Sequence, residues 1–118
     1  VNSEDVKANE KRFFDYLNQK DLNAIEKWID EWVAEDFINH SPTFDEPTDK
    51  EGLKEMVRKL IQLAPDITIT IKEMVFENDI LSFRQVIQGI DDKGDVMGMA
   101  MVRFRDNKLV ERWNITEV

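Results

Sequence analysis

The chain has 118 residues, 42% of them hydrophobic, with a net charge of -9 and no cysteine. That length suits one domain with a real core, and no apolar run is long enough to cross a bilayer. The acidic balance argues against nucleic acid and anionic membranes as partners, the missing cysteines exclude a disulfide framework or a thiolate site, and the lack of a basic-then-apolar leader makes the cytoplasm the expected location.

Helices come first. Over 3–18, Val6, Phe13, Phe14 and Leu17 recur at helical spacing, and Lys20-Asp21 marks a break. Asp21 suits the N-cap of a second helix over 22–35, whose Leu22, Ile25, Trp28, Ile29, Trp32 and Val33 form one stripe. Asp36 to Pro42 predicts a short extended segment entering a loop rich in Pro, Thr, Asp and Glu. Thr48 and Glu51 have capping-box spacing, which predicts a third helix over 49–63 with Leu53, Met56, Val57, Leu60 and Ile61 on one face. Pro65 ends it.

Strands follow, at about 66–76, 80–90, 95–106 and 108–117. Ile67, Ile69 and Ile71 alternate, then Met74 and Phe76 continue in the opposite phase, so a bulge is expected near Lys72-Glu73. Glu77-Asn78-Asp79 and Asp91-Asp92-Lys93-Gly94 supply turns. Residues 1–118 therefore predict a single α+β domain, its helices packed on one face of an antiparallel meander.

The closing hairpin sets two faces. A two-residue turn at Asp106-Asn107 would pair Arg105 with Lys108, Phe104 with Leu109, Val102 with Glu111 and Ala100 with Trp113. Strict alternation then puts Gly98, Ala100, Val102, Phe104, Leu109, Glu111, Trp113 and Ile115 on the core side. Met97, Met99, Met101, Arg103, Arg105, Val110, Arg112 and Asn114 fall on the other. On that register Glu111 is either buried and paired or lines a cavity.

Several segments occur in a telling order: Phe14 with Tyr16, Asn18 to Leu22, Ala34 to His40, Gly52-Leu53, Pro65-Asp66, and Asp106 to Trp113. Together they resemble a SnoaL-like polyketide cyclase domain of the nuclear transport factor 2-like superfamily, over nearly the whole chain. The resemblance implies a cone-shaped, cystatin-like α+β barrel, three N-terminal helices lying in the concave face of a strongly curved antiparallel sheet around a deep apolar cavity. That superfamily includes cyclases, isomerases, epoxide hydrolases, dehydratases and members that only bind or scaffold, so the polar groups inside the cavity decide the chemistry.

Tyr16, the only tyrosine, could donate to a substrate carbonyl or enolate oxygen, or it is a boundary residue with its hydroxyl in water. His40, the only histidine, ends the extended segment where related enzymes place a polar pocket group; it could act as base or sit exposed in the loop. Glu111 could serve as acid or base in apolar surroundings, or orient His40; its alternative is a structural pairing that supports the sheet. Gln85 points inward between Phe83 and Ile87, as a carbonyl-binding amide or a core amide satisfying backbone. Trp113, Phe14, Trp32, Phe83 and Ala100 are the expected cavity walls. With one histidine and no cysteine, no metal site is expected, and no cofactor is implied.

Four departures separate the chain from the relatives it resembles. Isomerase-like relatives have an aspartate beside the proline where this chain has His40-Ser41-Pro42, and a second acid where it has Ala100. Cyclases usually have a longer connection than Gly89 to Gly94 and an aspartate late in the last strand, where Asn114 and Glu117 stand here.

The outer face combines Met97, Met99 and Met101 with Arg84, Arg103 and Arg112, residue types enriched at interfaces. It suggests a homodimer through that face; alternatively the arginine stems shield a solvated sheet. Two functional readings stand. One is a cofactor-independent cyclase, isomerase or hydrolase-like enzyme acting by proton transfer on a small cyclic or aromatic carbonyl compound. The other is a noncatalytic domain that binds an apolar metabolite or serves as a dimeric scaffold.

Overall fold

The computed structural model describes residues 2–40, 48–90 and 94–116. The polar stretch at 41–47, most of the predicted turn at 91–94, and Glu117 lie outside the described residues. Three helices, α1 (Ser3–Asn18), α2 (Leu22–Trp32) and α3 (Lys50–Leu63), pack against a curved sheet of five strands: β1 (Val33–His40), β2 (Thr68–Glu77), β3 (Ile80–Gln88), β4 (Val96–Arg105) and β5 (Lys108–Thr116). The sheet order is β1-β5-β4-β3-β2. This is the expected α+β architecture, with one correction: the sheet is mixed, because β1 runs parallel to β5.

The helix starts follow local chemistry. The Asn2 side chain accepts from the Glu4 and Asp5 amides at 2.8 and 3.3 Å, and Asp21 accepts from the Ala24 amide at 3.1 Å. At α3 the cap is Asp49 rather than Thr48, its carboxylate accepting from the Gly52 amide at 2.8 Å. Thr48 is instead held by backbone hydrogen bonds to Asn39. The second helix is shorter than its apolar stripe predicts. Val33 leaves it because its backbone aligns with Leu109 of β5, and a partner strand outweighs a weak helical preference.

The core lies between α1, α2 and the concave sheet face. Phe13, Phe14 and Leu17 from α1, Ile25, Trp28 and Ile29 from α2, and Leu81, Phe83, Val102 and Leu109 from the sheet are all buried. Each such side chain contributes about 1.5–3 kcal/mol by leaving water. The Trp28 indole N–H donates to the Asn9 carbonyl at 3.0 Å, satisfying its one polar atom. Asn18 ties the end of α1 to β2, its amide donating to the Ile69 carbonyl at 2.9 Å and accepting from the Ile69 amide at 2.8 Å.

Two bulges decide the faces. The expected one in β2 falls between Ile71 and Met74, which keeps Met74 and Phe76 packed on the core. The second is in the closing hairpin. The turn itself is as expected, with Asp106 and Asn107 both at positive φ, Arg105 beside Lys108 and Phe104 beside Leu109. Arg103 then pairs with Glu111, so Val110 is an extra residue. Beyond it every β5 side chain lies on the face opposite to the one strict alternation predicts. Glu111, Trp113 and Ile115 face outward; Arg112, Asn114 and Thr116 face the interior.

Candidate functional site

A cavity of about 350 Å³ opens between α1, α3 and the concave sheet. Phe13, Phe14 and Leu17 wall it from α1, Met56, Val57 and Leu60 from α3, and Ile67, Ile69 and Ile87 from the segment leading into β2 and from the sheet. Leu63 and Ile90, both exposed, stand at the rim with Lys59. Polar groups enter from β3 and β5 as Gln85, Arg112, Asn114 and Thr116. Along β5 exposure decreases from Thr116 and Asn114, both half-buried, to Arg112, which is buried, so the guanidinium marks the deep end.

The deep end is polar and sparsely paired. Gln85 is 2% exposed and spans β4 to donate from Nε2 to the Asn114 Oδ1 at 3.4 Å, while its own Oε1 has no protein partner. It can lie there because its neighbour on β4 is Gly98; a Cβ at that position would stand 2.9 Å from Gln85 Nε2. Arg112 lies over the Phe14 ring, 5.8 Å from its centroid, and its nearest carboxylate oxygen is Glu10 Oε2 at 4.0 Å. That separation exceeds a hydrogen bond. Asn39, aligned with Arg112 on β1, is also buried with an unpartnered Oδ1.

Burial governs the two charges. Desolvation of Glu10 pushes its carboxyl above the usual carboxylate range, and the nearby Arg112 only partly offsets this. Burial likewise lowers the Arg112 guanidinium, with Glu10 opposing. A guanidinium nonetheless stays protonated, so the deep end keeps a positive charge that Glu10 does not fully balance.

The residues expected to form a site are divided between two faces. Gln85 and Phe14 line the cavity. Phe83 and Ala100 are buried in the core, and Tyr16 and Trp32 pack half-buried against that core; none of these four lines the cavity. His40, Glu111 and Trp113 do come together, but on the outer face. His40 Nε2 lies 3.0 Å from Glu111 Oε2, and the imidazole stacks on Trp113 at 5.2 Å between centroids. Arg103 completes the cluster, 3.3 Å from Glu111 and over the Trp113 ring. The inward placement of Glu111 and Trp113 is thus corrected by the Val110 bulge, and so is the outward placement of Arg112 and Asn114.

The sequence reasoning missed Arg112, Asn114 and Glu10 as interior groups. One signal was present. Leu109-Val110 puts two apolar residues side by side in an otherwise alternating strand, which marks a phase break as Lys72-Glu73 does in β2. Among the described residues no three His, Asp or Glu side chains gather as a metal ion would require, and no helix is long and apolar enough to cross a membrane.

The fold has clear counterparts. The crystal structure of wild-type IdmH from Streptomyces antibioticus, a candidate polyketide cyclase, superposes with a TM-score of 0.79 at 24% identity, covering 95% of this chain and 91% of that one. A candidate SnoaL-like polyketide cyclase from Jannaschia sp. gives 0.80 at 14% identity, over 95% and 85% of the chains. A candidate isomerase of the SnoaL-like family from Agrobacterium tumefaciens gives 0.79 at 11% identity, over 94% and 96%. These likenesses establish the fold. No curated protein matches the chain. The SnoaL-like domain profile matches residues 11–112, nearly the whole of it, and the chain therefore belongs to the SnoaL-like domain family.

Proposed function

We propose that this protein takes a small apolar or aromatic carbonyl compound into its cavity and stabilises the enolate oxygen that forms when water takes a neighbouring proton, as a cofactor-independent cyclase or isomerase would. The observation that carries this is the polar deep end of an otherwise apolar cavity, where the Gln85 amide, Asn114 and Arg112 converge. Neutral and cationic groups held in a water-poor site strengthen as negative charge develops on an oxygen. The candidate cyclases and isomerase that share the fold agree with such chemistry.

A second reading is binding without turnover. No histidine, aspartate or glutamate lines the cavity among the described residues, so no base stands beside a bound carbonyl. One experiment separates the two: deuterium exchange at the carbon beside the carbonyl, followed by NMR for a panel of aromatic and alicyclic ketones. Enolisation predicts protein-accelerated exchange that falls when Gln85→Leu removes the amide. Binding with no accelerated exchange favours the noncatalytic reading.

We further propose a homodimer through the outer sheet face. Met97, Met99, Met101 and Ile115 are all exposed there, at 44%, 54%, 41% and 69%. A contiguous apolar stripe of this kind on a sheet supports self-association. Met99→Glu combined with Met101→Lys should yield a monomer by light scattering, and an unchanged mass would count against the interface.

A further inference from the structure

Arg112 is poorly matched by its own protein. It is 7% exposed, its side chain makes no hydrogen bond among the described residues, and its one nearby carboxylate is 4.0 Å away on Glu10. A buried cation normally persists only when paired and hydrogen-bonded. Here burial also favours the neutral form of that carboxyl, and the guanidinium opens toward the cavity rather than into packed core. Gln85 Oε1, buried and without a partner, lies near the same end.

We infer that the cavity's ligand carries an ionised carboxylate at one end of its apolar body, and that Arg112 binds this carboxylate while Gln85 and Asn114 hold the polar group next to it. This rests on the cavity being the ligand site and adds the chemical class of the ligand. The guanidinium offers a planar fork of N–H donors that a carboxylate matches with two parallel bonds. The walls from Phe13, Phe14, Leu17 and Leu60 suit the hydrocarbon body. Among the described residues the titratable groups lining the cavity are Arg112 from β5 and Lys59 at the rim from α3, and Glu10 of α1 lies behind Arg112. Of these, only Arg112 is a cation at the deep end.

The test compares matched acid and ester pairs by isothermal titration at neutral pH: decanoate with methyl decanoate, and 2-naphthoate with methyl 2-naphthoate. The acid of a bound pair should be favoured by about 10- to 100-fold, the usual range for a charge-assisted hydrogen bond. Whichever pair binds distinguishes a linear from an aromatic body. Arg112→Gln should remove the preference, Arg112→Lys should retain part of it, and Lys59→Gln, at the rim, should leave it intact. If the Arg112 variants fail to fold, the unmodified protein still decides: its affinity for the acid should fall as pH drops through the ligand's own pKa, while ester affinity should not. Equal affinity for acid and ester, or a preference lost only in Lys59→Gln, would overturn the carboxylate inference and leave the cavity reading standing. Binding of neither member of either pair would overturn both.

Discussion

Gly98→Ala is the sharpest probe of how the cavity's polar end is built. Gly98 does not have a left-handed backbone, so alanine meets no conformational objection. The added Cβ would lie 2.9 Å from Gln85 Nε2, 3.2 Å from its Cγ and 3.3 Å from the Ile115 carbonyl oxygen. Backbone resists movement more than a side-chain end, so the amide of Gln85 must swing away. Its hydrogen bond to Asn114, already long at 3.4 Å, then breaks and leaves the buried amide without its protein partner. Overpacking and a lost buried partner each cost about 1–3 kcal/mol, and here they are one event rather than two. Replacing glycine within a strand returns about 0.5–1 kcal/mol. The net expectation is a loss of about 1–2 kcal/mol, a fall in Tm of roughly 4–8 °C. Urea unfolding followed by tryptophan fluorescence measures it, in the native background and with Gln85→Ala. With the long side chain gone the clash has no target, so Gly98→Ala should there stabilise by the returned amount, about 0.5–1 kcal/mol, a coupling of about 1.5–3 kcal/mol. Equal costs in the two backgrounds would refute the claim that Gly98 exists to let Gln85 cross β4.

Gly89→Ala should be more damaging, because Gly89 has a φ of 82° and a Cβ there would fall 2.2 Å from the Asp66 carbonyl oxygen; a loss of about 2 kcal/mol or more is expected in thermal unfolding. Glu10 gives a pH signature. Its raised pKa means the folded state keeps a proton that the unfolded chain releases, so its contribution is full below the ordinary glutamate value of 4.5 and is lost as pH rises through the folded value. Glu10→Gln should therefore match the native protein near pH 4 and exceed it in stability by pH 7, and a constant difference across that range would contradict the assignment. The exposed acids Asp30, Asp36 and Glu73, held low by Lys54, Arg105 and Arg84, act in the opposite direction at acid pH and cancel in this comparison. His40→Ala removes the contact to Glu111 and the stack on Trp113, at about 0.5–1.5 kcal/mol. Ligand affinity of the cavity should be unchanged by titration, and a large loss would show that the outer cluster reaches the ligand.

How much was legible in the sequence depends on whether the signal is local. The helix start at Asp21, the stop before Pro65, the type of turn at Asp106-Asn107 and the bulge at Lys72-Glu73 all follow from side chains acting within a few residues. The inward placement of Gln85 was also readable, because β3 alternates without interruption. The pairing of Glu111 with His40 was foreseen as an alternative, while the face that carries it was not.

The chain by itself determined an acidic α+β domain, helices first and strands second, with an amphipathic face on every element, since propensity, capping and periodicity act over short distances. Only the tertiary structure decided that β1 joins the sheet beside β5, and that one extra residue, Val110, turns Arg112 and Asn114 inward and sends Glu111 and Trp113 out. A strand's side chains alternate with a period of two, so a single inserted residue exchanges its two faces. Where that residue sits depends on the pairing of β4 with β5, a relation between strands that neither contains alone.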